Sequence, residues 1–136
     1  MDRWLGRLSE LFYACLRLVA GGLFACHGAQ KLFGVLGGHP VTGSPLLTLA
    51  GMIELVGGTL IALGLFASWA AFLASGEMAY AYFTVHAPRG LFPIANGGEL
   101  AVLYCFAFLY VAARGSGRIG LEALFGAGKR GSSRGR

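Results

Sequence analysis

This sequence predicts an all-helical integral membrane protein, a bundle of four spanning helices with both termini on the cytoplasmic side. Three observations predict it. Of the 136 residues, 56% are hydrophobic and only 12% charged, where a soluble domain carries about 25% charged residues, and the mean hydropathy is +0.66. Four apolar segments approach the roughly 20 residues that a hydrocarbon layer demands of a helix. Basic residues crowd towards the two chain ends, where positive charge marks the cytoplasmic side. The 23 glycines suit helices packed closely in lipid, where small residues let backbones approach.

The spans are expected at 11–33, 46–66, 69–85 and 96–113. Residues 34–45 separate the first two. A link of only Ala67 and Ser68 folds the second and third into an antiparallel hairpin, and Pro88 and Pro93 stop the third from running on. A barrel reading fails because no segment keeps a period-2 alternation with a turn about every ten residues. Arg3 and Arg7 precede the first span, and Arg114, Arg118, Lys129, Arg130, Arg134 and Arg136 follow the fourth, whereas the loops on the opposite side hold only Arg89. Trp4 and Trp69 then fall at the inner interface, where indoles prefer to sit. Residues 119–125 fit a short surface helix with its apolar side in the interface. One domain is expected over 1–128, followed by a basic, disordered tail over 129–136 held near anionic lipid. The net charge of +5 therefore speaks for a membrane and not for nucleic acid.

Ionisable residues inside the spans are the candidates for function. Each costs roughly 2.5–3.5 kcal/mol at bilayer depth unless a partner, water or a chemical role offsets it. His27, Gln30 and Lys31 come near the outer end of the first span. Glu54 lies about 12 Å below the outer boundary and Glu77 about 12 Å up the third span. Glu99 opens the fourth span, and His86 and Arg89 sit in the outer loop. Each has a structural reading too: Asn96 and Glu99 fit a capping box, Lys31 can snorkel to headgroups, and Glu54 and Glu77 can pair with Lys31 or Arg17. Arg17 itself is expected to snorkel inward or to pair with Glu77.

Cys15, Cys26 and Cys105 lack C-x-x-C spacing and are expected as buried small apolar side chains. Cys15 and Cys26 are about 16 Å apart along one helix, too far for a bridge. Residues 23–26 faintly match a lipoprotein cleavage box, but the apolar stretch runs on past them. No metal site is expected, since His27, Glu54 and Glu99 include no H-x-x-x-H or E-x-x-H pair on one helix. Haem, iron–sulfur and dinucleotide motifs are missing from the sequence as well.

An ordered set of motifs makes a resemblance specific. His27-Gly-Ala-Gln-Lys-Leu-Phe-Gly34, Glu54 with Gly57-Gly58 and Leu63-Gly64, Glu77-Met-Ala-Tyr80, Asn96-Gly-Gly-Glu99-Leu and Gly115-Ser-Gly117 before Leu121-Glu122 together resemble the DoxX family of small four-helix membrane proteins, over residues 11–126. Gly-Ser-Gly stands where the family often has Gly-Pro-Gly, and Leu-Glu where it often has Ser-Leu-Asp. The family takes its name from a membrane subunit of a thiosulfate:quinone oxidoreductase. The resemblance therefore implies a multi-pass protein of the inner (plasma) membrane that belongs to a quinone- or sulfur/thiol-linked redox system, with no covalently held cofactor. Electrons would come from a redox partner protein, and a homo-oligomer is open. For a quinone head, His27, Glu54 and Glu77 are the candidates for chemistry, and Gln30, Lys31, Asn96, Glu99 and Tyr80 for binding, with Tyr82 and Phe83 as aromatic lining. A transporter or channel for a small solute or proton, or a structural subunit whose polar residues only lock helices, fits the same pattern.

Overall fold

The computed structural model describes residues 2–131. Among these the chain is helical throughout, with no strand. A short helix α1 (Asp2–Arg7) leads into α2 (Ser9–Phe33), which Gly34 ends in the left-handed conformation, φ 66°, its N–H bonded to the Gln30 carbonyl. Helix α3 (Pro45–Met52) starts as its residues dictate: the Ser44 hydroxyl accepts the Leu47 N–H, and Pro45 fills the first turn, where a missing N–H costs nothing. A π-helical turn (Ile53–Gly57) joins it to α4 (Gly58–Leu63). Then come α5 (Ala67–Ala81), a second π turn (Tyr82–His86), a 3-10 turn (Ala87–Arg89), α6 (Pro93–Asn96), α7 (Glu99–Arg114) and α8 (Leu121–Gly131).

Two helical runs, Ser9–Phe33 and Pro45–Leu63, are long and apolar enough to cross a membrane. Helix α5 reaches 15 residues before its π turn and α7 reaches 16. The hairpin between the second and third segments is built differently from the expected two-residue link. Gly64 (φ 68°) and Phe66 (φ 49°) turn the chain, and α5 already begins at Ala67. Helix α7 begins at Glu99, later than the expected start at 96. Of the expected tail, 129–131 end α8, and 132–136 lie outside the described residues.

Helix α2 packs along α3, its π turn and α4, while α5 packs chiefly on α7 and also touches α4. The first contact is backbone against backbone. A Cβ on Gly21 would lie 2.6 Å from the Gly58 carbonyl oxygen, one on Gly58 would lie 2.5 Å from the Gly21 carbonyl oxygen, and one on Gly28 would overlap the Leu55 amide. Glycines at i and i+7 on α2, matched by Gly51 and Gly58 seven apart on the facing run, therefore let the helices close to a distance that no larger residue permits.

The α5 contact obeys the same rule with alanine. Ala67, Ala70, Ala71, Ala74, Ser75 and Met78 are buried, while Trp69, Phe72, Leu73 and Phe83 lie exposed on the outside. Small residues inside and large apolar ones outside invert the order of a water-soluble domain and suit a hydrocarbon surround. Larger buried side chains concentrate at Phe24, Tyr104 and Phe108, whose rings meet at centroid distances of 4.8–5.3 Å.

The end at which α2 starts and α7 stops is tied by polar contacts. Arg17, 3% exposed, neither snorkels nor meets Glu77. Its guanidinium donates to the carbonyls of Ser116 and Ile119, the latter at 2.6 Å. The Tyr13 hydroxyl donates to the Gly115 carbonyl at 2.5 Å, Arg114 pairs with Glu10, and Glu10 also accepts the Arg118 N–H at 3.1 Å. The Ser116 hydroxyl donates to Glu122, whose own N–H bonds the Gly64 carbonyl at 3.0 Å. The Gly115-Ser-Gly117 segment is thereby fastened to α2 and to the α4–α5 turn.

Candidate functional site: a buried acid–base cluster

Glu54 owes its position to the π turn. A π turn inserts an extra residue into a helical turn and rotates the downstream residues around the axis, and such turns concentrate at functional sites. The residue is 2% exposed. Its Oε1 meets the Lys31 Nζ at 2.5 Å. Lys31 stands in the last turn of α2, where the glycine contact brings the two backbones together; a Cβ on Gly51 would lie 3.2 Å from the Lys31 Cβ. The closest helix approach therefore also sets the ammonium over the carboxylate.

Glu77, from α5, completes the cluster. Both of its carboxyl oxygens are buried and without a hydrogen-bond partner, as is the second oxygen of Glu54. Helix α5, which carries Glu77, packs against the π turn that carries Glu54. An unpartnered buried carboxyl oxygen is costly, so these three make Glu54 and Glu77 the candidates for a site. His27, one turn before Lys31, is half-buried and stands edge-on to Tyr104, 6.2 Å between centroids and 89° between planes.

The remaining expected site residues go elsewhere. Gln30 donates to the Leu36 carbonyl at 3.0 Å and braces the 34–44 connection. Asn96 is buried and holds the 87–98 connection: its Oδ1 accepts the Gly98 N–H at 2.8 Å, and its Nδ2 donates to the Gly90 carbonyl at 2.8 Å and the Tyr82 hydroxyl at 3.3 Å. No capping box forms, because Gly98 is the cap residue of α7 and uses no side chain. Glu99 is exposed, and among the described residues it makes no hydrogen bond or ion pair, so it does not face Lys31. Tyr80 is 54% exposed on the outer surface.

Cys15 and Cys26 are exposed on α2, contrary to the expected burial, and Cys105 is partly buried beside the Ser75 hydroxyl. Among the described residues no group of three or more His, Cys, Asp or Glu side chains is arranged to hold a metal ion. Two shallow surface concavities, of about 460 and 440 Å³, lie at Gly43–Met52 and between Trp69 and Ala113. Neither is lined by a member of the cluster.

Tyr104 and Ser75 join the site and its supports without any signal in the sequence. Tyr104 shares a helical stripe with Ala101, Phe108 and Val111, a spacing that signals core packing, so nothing local distinguishes it. The Ser75 hydroxyl donates to the Cys105 carbonyl at 2.8 Å and joins α5 to α7.

Apolar outer surfaces and two helices long and apolar enough to cross a membrane, with charged groups between helices, fit a membrane protein. The family model for DoxX matches residues 12–87, more than half of the chain, and the chain belongs to the DoxX family. An uncharacterised protein of Haemophilus influenzae is similar to it, 48% identical over 121 residues that cover 84% of this chain and 90% of that protein. No solved structure matches. The matched stretch contains His27, Lys31, Glu54 and Glu77, the whole acid–base cluster, whereas Asn96 and Glu99 lie beyond it.

Proposed function

We propose that the protein is a four-helix bundle crossing the inner membrane several times, with both termini cytoplasmic, and that it serves as a subunit of a quinone- or sulfur/thiol-linked redox system. One observation carries the functional part: a Lys31–Glu54 ion pair with an unpartnered Glu77 beside it, held between helices whose outer surfaces are apolar. Supporting the topology, the α2 start and the α7 end meet at one face of the molecule through Glu10, Tyr13, Arg17 and Arg114, and this is the Arg-rich side.

The residues fit a quinone head. A quinone, when bound, exchanges electrons at a ring whose two carbonyl oxygens take up protons. Lys31, with its side chain 32% exposed, and the half-buried His27 are the donors positioned to orient such a carbonyl. Glu54 and Glu77 hold protons behind them, in a setting from which water is largely excluded. Gln30 and Asn96 act on loops and so shape the entrance instead of binding the ring. Electrons come from a partner protein, since the chain contains no haem, iron–sulfur or dinucleotide motif.

The test is to capture the protein with its neighbours by mild crosslinking in native membranes, then assay quinone turnover by the reconstituted complex. Glu54→Gln should lower turnover by about two orders of magnitude, the scale of a lost proton-transfer group, while the complex stays assembled. Capture without any redox protein, together with unchanged turnover in the variant, rejects the reading. Solute or proton flux through liposomes containing the protein alone would replace it with transport.

A further inference from the structure

We propose that Glu54 and Glu77 bind one exchangeable proton between them, with Lys31 as the group that fixes the count at one. The proposal deepens the assignment of this cluster as the working site. It rests on that assignment but not on the identity of the redox partner.

The geometry points to it through charge balance. Three carboxyl oxygens, Glu54 Oε2 and both of Glu77, are buried with no hydrogen-bond donor among the described residues. Lys31 supplies a single positive charge and spends it on the other Glu54 oxygen. Two carboxylates against one ammonium leave one negative charge uncompensated, and an isolated carboxylate inside an apolar bundle is not sustainable. One added positive charge restores neutrality. A proton suits the space better than a metal ion, because a metal needs several more ligands and no such group of side chains is gathered among the described residues.

Among the described residues no second cation pairs with Glu54 or Glu77. From α2 come Lys31, paired with Glu54, and His27 one turn earlier, which stands edge-on to Tyr104 of α7; α5, which carries Glu77, packs against the π turn. The buried Arg17 has its guanidinium committed to Ser116 and Ile119 at the opposite end. Lys31 is the partly exposed member of the ion pair, 32% against 3% for Glu54, so exchange with the outside passes along its side chain. Two acids sharing one proton titrate as a unit and not as separate groups.

Charge counting gives a test with opposite signs for different variants. Infrared spectra of the full chain in lipid nanodiscs at neutral pH, recorded in H2O and D2O, report the carbonyl stretch of a protonated carboxylic acid. The wild type should show one such band that shifts in D2O. Glu77→Gln should abolish it, because Lys31 and Glu54 then balance alone. Glu54→Gln should abolish it as well, because Lys31 turns to Glu77. Lys31→Met should double it, since two acids then face no cation.

A wild type without the band, or a band that survives in Glu54→Gln, overturns the shared proton. A variant that fails to fold is recognised by loss of its monodisperse elution. The two Gln variants and the Met variant move the band in opposite directions, so any one folded member still decides. Quinone turnover is measured on the same variants in the reconstituted complex: a band that behaves as stated without turnover rejects the redox reading and keeps the proton site, and turnover with an unresponsive band does the reverse.

Discussion

At the scale of single residues, the Lys31–Glu54 contact makes an asymmetric prediction. Glu54 is almost wholly buried and Lys31 is a third exposed. Removing the lysine therefore leaves a buried carboxyl that must take up a proton to stay inside the bundle, while removing the acid leaves an ammonium whose flexible stem lets it turn to Glu77. Lys31→Met should lower thermal stability in detergent by up to about 3 kcal/mol. Glu54→Gln should cost less, and the double variant should recover most of the loss, so the coupling appears in a double-mutant cycle. Equal costs for both single variants would mean that the pair is equally solvated at both ends. The same reasoning separates Glu99 from the cluster: it is exposed and unpaired among the described residues, so Glu99→Gln should leave stability and activity within about 0.5 kcal/mol of the parent.

At the scale of helices, the glycines sort into two groups with opposite expectations. Gly21, Gly28 and Gly58 stand where α2 meets α3, its π turn and α4, backbone to backbone, with no room for a Cβ. Gly22 and Gly76 face open space, with nothing within 4 Å. Gly58→Ala or Gly21→Ala should destabilise by about 1–3 kcal/mol through overpacking. Gly22→Ala and Gly76→Ala should be neutral, or stabilising by about 0.5–1 kcal/mol through helix propensity. Thermal melts of the four purified variants check the sorting.

Much of this level could be read from the chain itself. Apolar length and proline placement located the helices to within a few residues, and ionisable groups inside apolar runs pointed to Lys31, Glu54 and Glu77. The features that escaped such a reading did so for physical reasons. The π turn at Ile53–Gly57 depends on how neighbouring helices pack, and no local residue pattern announces it. Asn96-x-x-Glu99 matches a capping box, yet Gly97 adopts φ 74° and moves the helix start to Glu99. Arg17 found carbonyls about a hundred positions away in a loop whose path is set by the whole fold.

At the scale of the whole molecule, the polar fastening at one end and the apolar sides fix a definite orientation to test. Arg114, Glu10, Tyr13 and Arg17 bind the beginning of α2 to the end of α7, so the two chain ends share a face. That face carries Arg3, Arg7, Arg114 and Arg118, whereas the connections 34–44 and 87–98 at the other end carry only Arg89. Translocating basic residues is disfavoured, so the proposed topology expects the arginine-rich face inside. Reporter fusions read this out. A fluorescent protein at the carboxyl end should be bright, a periplasm-dependent phosphatase there inactive, and the same phosphatase inserted at His39 or Gly90 active. The phosphatase result at the carboxyl end is decisive for the parity of spans. An odd number would place that end opposite the arginine-rich start of the chain and give the reverse pattern, and it would also separate Glu10 from Arg114 by the full membrane thickness, which their ion pair forbids. Moving four arginines into the 34–44 connection while replacing Arg3, Arg7, Arg114 and Arg118 by Asn should weaken the orientation and yield mixed reporter activity. If that variant keeps a single orientation, helix packing and not charge directs insertion.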